Sequence, residues 1–326
     1  MAFADDMLEA MDITEFDLIS RIRARVRQRG DVALGIGDDA ALLQVPPGHE
    51  LVVTADTLNA GVHFPEATAP ADIGWKALAV NLSDLAAMGA TPAWCTLSLS
   101  LPQADESWAD AFLDGFLDLA DLYGIGLVGG DTTRGPLSIS VTAMGLVEQG
   151  SALRRDRAQV GDDVWVTGTL GDAAAALEAL LERREVPVSL RRRLDRPTPR
   201  IAAGLRLSAL AHACIDISDG LLADLAHVCE RSDVGAEIDL ADLPVSAELA
   251  AVQSAERWRW QACGGDDYEL CFMASPRDRD LIVQALDFTD VSATRIGCIV
   301  AGQGVRAFEA ERQEWKPPSR GYEHFA

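Results

Sequence analysis

The stretch KALAVNLSDLAAMGA, residues 76–90, decides how the surrounding sequence is interpreted. Its leucines recur at three- and four-residue spacing, which is typical of the apolar stripe of an amphipathic helix. We predict that this helix covers residues 71–89. Asp84 lies beside the apolar stripe, although an aspartate inside a helix lowers helix propensity. Asp84 is therefore a candidate functional carboxylate, with a surface carboxylate at a helix edge as the alternative.

Apolar runs on both sides of this helix predict strands that are mixed irregularly with further helices. Residues 94–101 alternate strictly between apolar and polar, which predicts a half-buried strand. Asp105 is the predicted N-cap of the next helix and Gly124 its C-cap. Other strands are predicted at residues 32–36, 40–45, 51–55, 125–128, 137–147, 164–166 and 268–273, and other helices from about residues 172, 200, 220 and 277. This order favours an α+β fold over a doubly wound parallel sheet.

The polar stretch at residues 148–163 is the best candidate for a domain boundary, because it has few apolar residues and contains two glycines. We therefore expect an N-terminal domain over residues 13–149 and a C-terminal domain over 150–326. The acidic residues 1–12 are expected to form a disordered extension.

Aspartates recur at the points where predicted strands end or helices begin. They lie in Gly37-Asp38-Asp39, at Asp56, in Gly130-Asp131, at Asp216 and Asp219, and in Gly265-Asp266-Asp267. Each aspartate alone is more typical of a turn or a helix cap. If several converge, like charges about 4 Å apart repel by roughly 4 kcal/mol at an effective dielectric of about 20. Bound Mg²⁺, which prefers oxygen ligands, would remove that repulsion.

Composition excludes several other classes of function. The net charge of −23 disfavours nucleic acid and anionic membranes as partners. The sequence shows no signal peptide and no apolar stretch long enough to span a membrane, so we expect a cytoplasmic protein. The six cysteines lack CxxC spacing and the histidines form no HExxH pair, which argues against zinc. The cysteines are expected to be buried thiols.

Two glycine-rich stretches, residues 124–130 and 168–171, are candidates for phosphate cradles, but neither continues into the Lys-Ser/Thr of a P-loop. Protein-kinase signatures are absent as well. Arg154 and Arg155 are candidate phosphate clamps in an otherwise acidic chain, with a solvated linker pair as the alternative.

Taken together, the motifs resemble those of the thiamine-monophosphate kinase family, within the ATP-binding superfamily that includes aminoimidazole ribonucleotide synthetase and selenophosphate synthetase. The resemblance covers nearly the whole chain. It rests on GIGDDA at 35–40, TADTL at 54–58, KALAVNLSDLAAMGA at 76–90, GGDTTRGP at 129–136, DISDGL at 216–221, GGDDYEL at 264–270 and GYEHF at 321–325.

The resemblance implies an α+β N-terminal domain that contributes to a β-barrel shared with a second copy, and an α/β C-terminal domain that closes over ATP. By motif match it implies Mg²⁺ ligands at Asp39, Thr54, Asp56, Asp84, Asp131, Asp216 and Asp219, with Asp38 as the alternative to Asp39. It implies ATP contacts from Gly130, Asp131, Arg155 and Ser218, and thiamine monophosphate contacts from His63, Asp266 and Tyr322. Many family members carry Glu at the position of Asp266, so the carboxylate of this chain is on a shorter side chain.

The implied reaction is Mg²⁺-assisted, in-line transfer of the ATP γ-phosphoryl group to thiamine monophosphate, without a catalytic base. An ATP-dependent ligase of the same superfamily, such as aminoimidazole ribonucleotide synthetase, is the alternative enzyme. An acidic cation-binding protein without catalysis is the alternative from another class.

Overall fold

The computed structural model describes residues 15–27, 29–252, 255–289, 291–317 and 321–322. The expected extension at residues 1–12 and the motif residues 323–325 lie outside the described residues.

The N-terminal half is built around one four-stranded sheet. Its elements are α1 (Glu15–Arg25), β1 (Val32–Leu34), β2 (Leu42–Leu43), β3 (His49–Asn59), α2 (Pro70–Ala87), β4 (Thr91–Leu101), α3 (Glu106–Tyr123), β5 (Gly126–Arg134) and β6 (Ser138–Glu148). The sheet order is β3-β6-β4-β5, in which only β4 and β5 are parallel, and β1 pairs with β2 in a separate ribbon.

The inner face of this sheet is covered by α2, which packs against α3. The two helices approach closely because glycines face each other's backbones. A Cβ added to Gly74 would lie 2.0 Å from the Phe112 carbonyl oxygen, and one added to Gly115 would lie 1.7 Å from the Ala71 oxygen. The predicted apolar stripe of α2 is fully buried. Because α2 also contacts α6 and β8 of the C-terminal half, it connects the two halves through one shared core.

The C-terminal half contains a seven-stranded sheet with helices. Its elements are β7 (Asp163–Thr167), α4 (Asp172–Leu181), α5 (Val188–Asp195), α6 (Ile201–Leu207), β8 (Ala211–Asp216), α7 (Leu221–Ser232), β9 (Gly235–Asp239), α8 (Ala247–Ala251), α9 (Arg257–Cys263), β10 (Leu270–Ala274), α10 (Arg279–Leu286), β11 (Ala293–Val300), β12 (Gly304–Phe308) and β13 (Glu314–Trp315). The order is β13-β12-β9-β11-β7-β10-β8, and only β9 and β12 are parallel. The mixed, mostly antiparallel pairing agrees with the predicted α+β class.

Several local predictions are confirmed. The Asp105 side chain caps α3 by accepting a hydrogen bond from the Trp108 backbone N–H, 3.0 Å away. Gly124 ends the helix in the left-handed conformation, with φ +65°. In β4, the alternating apolar side chains are buried on the face toward the helices. Five cysteines are buried as expected, whereas Cys298 is only half-buried.

The predicted ends of two strands are wrong. β3 does not stop at Asp56 but continues to Asn59, and β5 passes through Gly130 and Asp131 to Arg134. In both cases pairing with a long neighbouring strand overrides the local turn preference of Asp and Gly. β3 pairs with β6 over eleven consecutive positions, from His49 to Asn59. Asp56 and Asp131 are therefore strand residues and not turn residues.

Within the described residues the N-terminal sheet does not close into a barrel, because β3 and β5 remain edge strands. No helix in the described part of the chain combines the length and the apolar character needed to cross a bilayer.

Candidate functional site

A cleft of about 1080 Å³ lies between the N-terminal sheet and the C-terminal half. Its lining combines residues from β3, α2, the loop before α7, the loop before β10 and the segment at residue 321. Predicted site residues that border it are Asp56, His63, Asp84, Asp216, Ser218, Asp219, Asp266 and Tyr322. The structure therefore brings most of the predicted metal and substrate residues to one place.

Asp84 and Asp216 form the deep acidic part of the cleft. The Thr54 hydroxyl donates a hydrogen bond to Asp84, and the Ser83 hydroxyl donates to Asp216 Oδ2 at 2.8 Å. Burial raises the pKa of both carboxyl groups, and the negative charge of Asp84 adds to the rise at Asp216. Each hydroxyl holds one carboxylate oxygen in place. A hydrogen bond to the charged carboxylate also favours that form and so opposes the effect of burial.

Asp56 reaches this group from β3, on the face of the sheet that packs on α2. Its backbone N–H donates to the Asn81 side-chain oxygen at 3.1 Å, which ties the strand to the helix. Burial raises the pKa of Asp56 to about 6, and repulsion by Asp84 and Asp219 adds to this rise. The charge of Asp84 thus raises the pKa of carboxyl groups on two other elements, Asp56 and Asp216, and such perturbed groups are typical of a functional site.

The loop at residues 216–220 carries Asp219 to the cleft, and Asp224 holds this loop in place. Asp224 Oδ2 accepts hydrogen bonds from the backbone N–H groups of Ser218, Asp219 and Gly220, at 3.0, 3.1 and 3.1 Å. Burial raises the pKa of Asp224 to about 7, with repulsion by Asp219 second. Asp224 is not among the site residues predicted from the sequence. Its signal is an acidic residue in the first turn of a helix, where free N–H groups need an acceptor.

The three residues expected to bind thiamine monophosphate also border the cleft. His63 follows β3 and its Nδ1 accepts a hydrogen bond from the Asn59 N–H at 3.0 Å. Asp266 lies in the loop before β10, where it pairs with the buried Lys76, Nζ to Oδ1 2.9 Å. Tyr322 is half exposed at the cleft margin, and its N–H donates to the Asp219 oxygen at 3.2 Å.

Three predicted site residues lie away from this cleft in the single chain. Asp39 is exposed on the turn after β1, as is its alternative, Asp38. Asp131 is exposed in β5 and pairs in register with Ser98, on the outer face of the sheet. Gly130 precedes it with φ +150°, and a Cβ there would lie 1.8 Å from the Leu97 oxygen, so only glycine fits. Their assignment to metal and ATP stays a prediction.

The two arginines at residues 154 and 155 have different surroundings. Arg154 is paired with Asp156, Nε to Oδ1 2.8 Å. Arg155 is exposed, yet its positive charge lowers the pKa of Asp84 and Asp216 in opposition to burial. Arg155 is therefore the member of the pair whose field reaches the acidic part of the cleft.

The two glycine-rich stretches differ in how their backbone N–H groups are used. Residues 126–130 belong to β5, and the Gly168 N–H donates to the Ser292 oxygen at 2.9 Å. The Gly171 N–H donates to both carboxylate oxygens of Asp267 at 3.0 Å. The Gly168 and Gly171 N–H groups are thus used within the protein, whereas β5 is, among the described residues, an edge strand that pairs only with β4, so a phosphate cradle at residues 124–130 stays a prediction.

The carboxylates suit Mg²⁺ by the chemistry of their donor atoms. Within the described residues, no three His, Cys, Asp or Glu side chains converge closely enough to enclose a metal ion. Mg²⁺ rarely needs such an enclosure, because it keeps several waters and binds through one or two carboxylates plus substrate phosphates. Asp56, Asp84 and Asp216 therefore fit an ion that is bound together with a nucleotide.

Comparison with known proteins identifies relatives of the whole chain. The family model for the AIR synthase related protein, N-terminal domain, matches residues 37–147, and the model for the C-terminal domain matches residues 159–309. The thiamine-monophosphate kinase of Escherichia coli K12 is 48% identical over 323 residues, covering 96% of this chain and 98% of that protein.

Solved structures agree with this assignment. The crystal structure of thiamine-monophosphate kinase from Stenotrophomonas maltophilia K279a is 58% identical, with a TM-score of 0.85 over 91% of this chain and 97% of that one. The structure of AaThiL complexed with AMPPCP and TMP is 36% identical, with a TM-score of 0.73 over 93% and 96% of the two chains. The chain belongs to the thiamine-monophosphate kinase family, within the AIR synthase related proteins.

Proposed function

We propose that this protein phosphorylates thiamine monophosphate with ATP, giving thiamine diphosphate and ADP. The observation that carries this function is the convergence of Asp56, Asp84, Asp216 and Asp219 with His63, Asp266 and Tyr322 on one cleft. Family membership and the related structure complexed with AMPPCP and TMP support both substrates.

The nucleophile is the phosphate oxygen of thiamine monophosphate, and the protein does not need to deprotonate it. A phosphate monoester has a second pKa near 6, so at neutral pH it is largely a dianion. The difficulty is electrostatic, because two polyanions must meet in a cleft that is already acidic. The reaction therefore depends on charge compensation and on alignment of the two phosphates, which agrees with the presence of carboxylates without a catalytic triad.

The chain's own groups supply the alignment. Thr54 and Ser83 hold Asp84 and Asp216 by hydrogen bonds, and Asn81 ties the strand carrying Asp56 to α2. The Ser83–Asp216 contact joins the N-terminal and C-terminal halves of the cleft at the acidic group. Alignment of donor and acceptor is therefore built into elements that share one core.

We further propose that Asp56, Asp84, Asp216 and Asp219 hold Mg²⁺, with Thr54 supporting Asp84. When bound, Mg²⁺ would supply positive charge that offsets the repulsion between phosphates and carboxylates. Arg155, Ser218, Gly130 and Asp131 remain the proposed ATP contacts, and Asp39 remains a proposed metal ligand.

A homodimer is also part of the proposal. The outer face of the N-terminal sheet exposes Leu51 and Val53, at 44% and 56%, beside the partly buried Met144 and Leu146. Exposed apolar side chains next to an open strand edge are typical of an interface. Pairing of this face with a second copy would produce the expected shared barrel. A cytoplasmic location is proposed from the sequence alone.

The function is tested by separating adenine nucleotides and thiamine phosphates after incubation of the purified protein with ATP, MgCl₂ and thiamine monophosphate. We expect ADP and thiamine diphosphate in equal amounts, and neither in the presence of excess EDTA. Consumption of ATP without thiamine diphosphate would contradict the kinase assignment and favour an ATP-dependent ligase of the same superfamily.

A further inference from the structure

A buried ammonium group lies beneath the side of the cleft that contains His63 and Asp266. Lys76 belongs to α2 and is 2% exposed, so its charge is almost completely removed from water. Its Nζ donates a hydrogen bond to the His63 backbone oxygen at 3.0 Å and lies 2.9 Å from Asp266 Oδ1. Because a buried ammonium is costly unless it is paired, these two acceptors determine where Lys76 can lie.

The two acceptors come from different halves of the protein. His63 lies in the turn between β3 and α2, whereas Asp266 precedes β10 in the C-terminal half. The Asp266 N–H also donates to the Ser218 oxygen at 2.8 Å, and Asp266 adopts the left-handed conformation with φ +68°. Lys76 therefore connects both substrate-side loops to the central helix.

The contacts to Asp266 involve a single carboxylate oxygen. The Tyr268 hydroxyl donates to Oδ1 at 3.2 Å, and Lys76 is closest to the same atom. Oδ2 accepts no hydrogen bond from the described residues, and Asp266 borders the cleft. The arrangement fixes the direction of the carboxylate and leaves one oxygen to accept a hydrogen bond from a ligand.

Lys76 also changes the charge that the substrate meets. Asp266, Asp56 and Asp216 are close enough for all three charges to raise the pKa of the Tyr268 phenol, behind the larger effect of burial. An anionic substrate entering such a cleft would be repelled by an uncompensated Asp266. Pairing with Lys76 neutralises this carboxylate but keeps it as an acceptor.

We propose that Lys76 is a positioning residue for the acceptor substrate, which acts through Asp266 and the His63 turn to orient the thiamine part of thiamine monophosphate. This inference rests on the proposed kinase function. It predicts that loss of the Lys76 charge weakens use of thiamine monophosphate selectively, with little effect on ATP.

The test compares steady-state kinetics of Lys76→Met, Asp266→Asn and the double variant. Loss of a charge-assisted contact should raise KM for thiamine monophosphate about tenfold or more in Lys76→Met, with KM for ATP changed less than about twofold. If Lys76 acts through Asp266, the double variant should show no higher KM for thiamine monophosphate than the worse single variant.

Arg196→Met is the matched control. Arg196, from the C-terminal half, pairs with Asp72 of α2, the helix that carries Lys76, but Arg196 does not border the cleft. It should leave both KM values near those of the unsubstituted protein. Equal rises in both KM values for Lys76→Met, an unchanged KM for thiamine monophosphate, or additive effects in the double variant would overturn the proposal.

Thermal unfolding separates a positioning role from loss of the fold. If Lys76→Met does not fold, the double variant carries the test, because it leaves no unpaired buried charge. A double variant that is also unfolded would show a purely structural role and overturn the inference. Absence of thiamine diphosphate formation by the unsubstituted protein in the same assay would instead refute the proposed function.

Discussion

Asp84 shows how one carboxylate can be costly for folding and required for function. It lies in a buried helix near Asp56 and Asp216, and these three groups repel one another when no cation is present. Asp84→Asn removes one charge while its amide oxygen can still accept the Thr54 hydrogen bond. We expect kcat to fall roughly 1000-fold or more, because binding of the metal and alignment of phosphates fail together.

The same substitution should not lower stability in EDTA, because it relieves repulsion. Differential scanning fluorimetry should show a melting temperature at or above that of the unsubstituted protein in EDTA, and a smaller rise on addition of MgCl₂. Asp118→Asn, on the exposed face of α3, is the control. Near-normal turnover by purified Asp84→Asn would contradict the metal-site model.

Asp224 gives a second prediction, for a residue that lines no part of the cleft. Asp224→Ala leaves three backbone N–H groups of the 218–220 loop without their acceptor. A fully buried donor that loses its partner costs about 1–3 kcal/mol; only the Gly220 donor is fully buried and the other two are partly buried, so we expect a loss of roughly 2–4 kcal/mol in the free energy of unfolding. Asp224→Asn retains one acceptor oxygen and should lose less. Equal stability of Asp224→Ala and the parent in urea unfolding would show that Asp224 does not hold the loop.

The sequence pointed to Asp84 but not to Asp224 or Lys76, and the reason is physical. Asp84 conflicts with its local context, since it is a charged, poor helix former beside an apolar stripe. Asp224 has the signal of an acidic residue in the first turn of a helix and Lys76 is a good helix former, but both features are also common on helix surfaces and do not indicate burial. Only tertiary packing buries them and gives them partners.

The contact between α2 and α3 helps to set the position of α2, which carries Asp84. Gly115→Ala would place a methyl group against the Ala71 carbonyl oxygen, where a Cβ has only 1.7 Å of space. The helices must separate, and we expect a loss of about 1–3 kcal/mol, as is typical of overpacking. Asp118→Ala, one turn along α3 on its exposed face, should stay within about 0.5 kcal/mol of the parent. Equal unfolding midpoints for the two variants would contradict this packing.

Prediction from sequence succeeded for elements whose signals are local. The caps of α3 and the alternation of β4 depend on residues within one element, so they could be identified directly. The extents of β3 and β5 depend on their neighbours β6 and β4, which the sequence does not place beside them. This is why Asp56 and Asp131 were expected in turns and are found in strands.

At the scale of the molecule, the outer face of the N-terminal sheet provides a test of association. Val53→Asp puts a charge on the proposed interface, whereas Val188→Asp puts one on an exposed site at the start of α5. Light scattering should give twice the 34.9 kDa chain mass for the parent and for Val188→Asp, and the chain mass for Val53→Asp. A parent protein that is monomeric at micromolar concentration would contradict the dimer.

The α+β class could be predicted from the order of strands and helices. Most of the residues that border the cleft could be predicted from their motifs, because those motifs lie on elements that meet within one chain. The cleft in the single chain does not include Asp39, which lies on an exposed turn, or Asp131, which lies on the outer face of the sheet. Sequence order does not reveal which face of a sheet a strand residue such as Asp131 occupies. The roles proposed for Asp39 and Asp131 are therefore to be examined in the proposed dimer.

The central claim is that this cleft transfers phosphate from ATP directly to thiamine monophosphate. The most direct measurement is ³¹P NMR of the purified protein with MgATP and thiamine monophosphate. We predict that the monophosphate resonance is replaced by the coupled pair of thiamine diphosphate while ADP appears in equal amount. Consumption of ATP with the monophosphate resonance unchanged, or no consumption of ATP, would contradict the account.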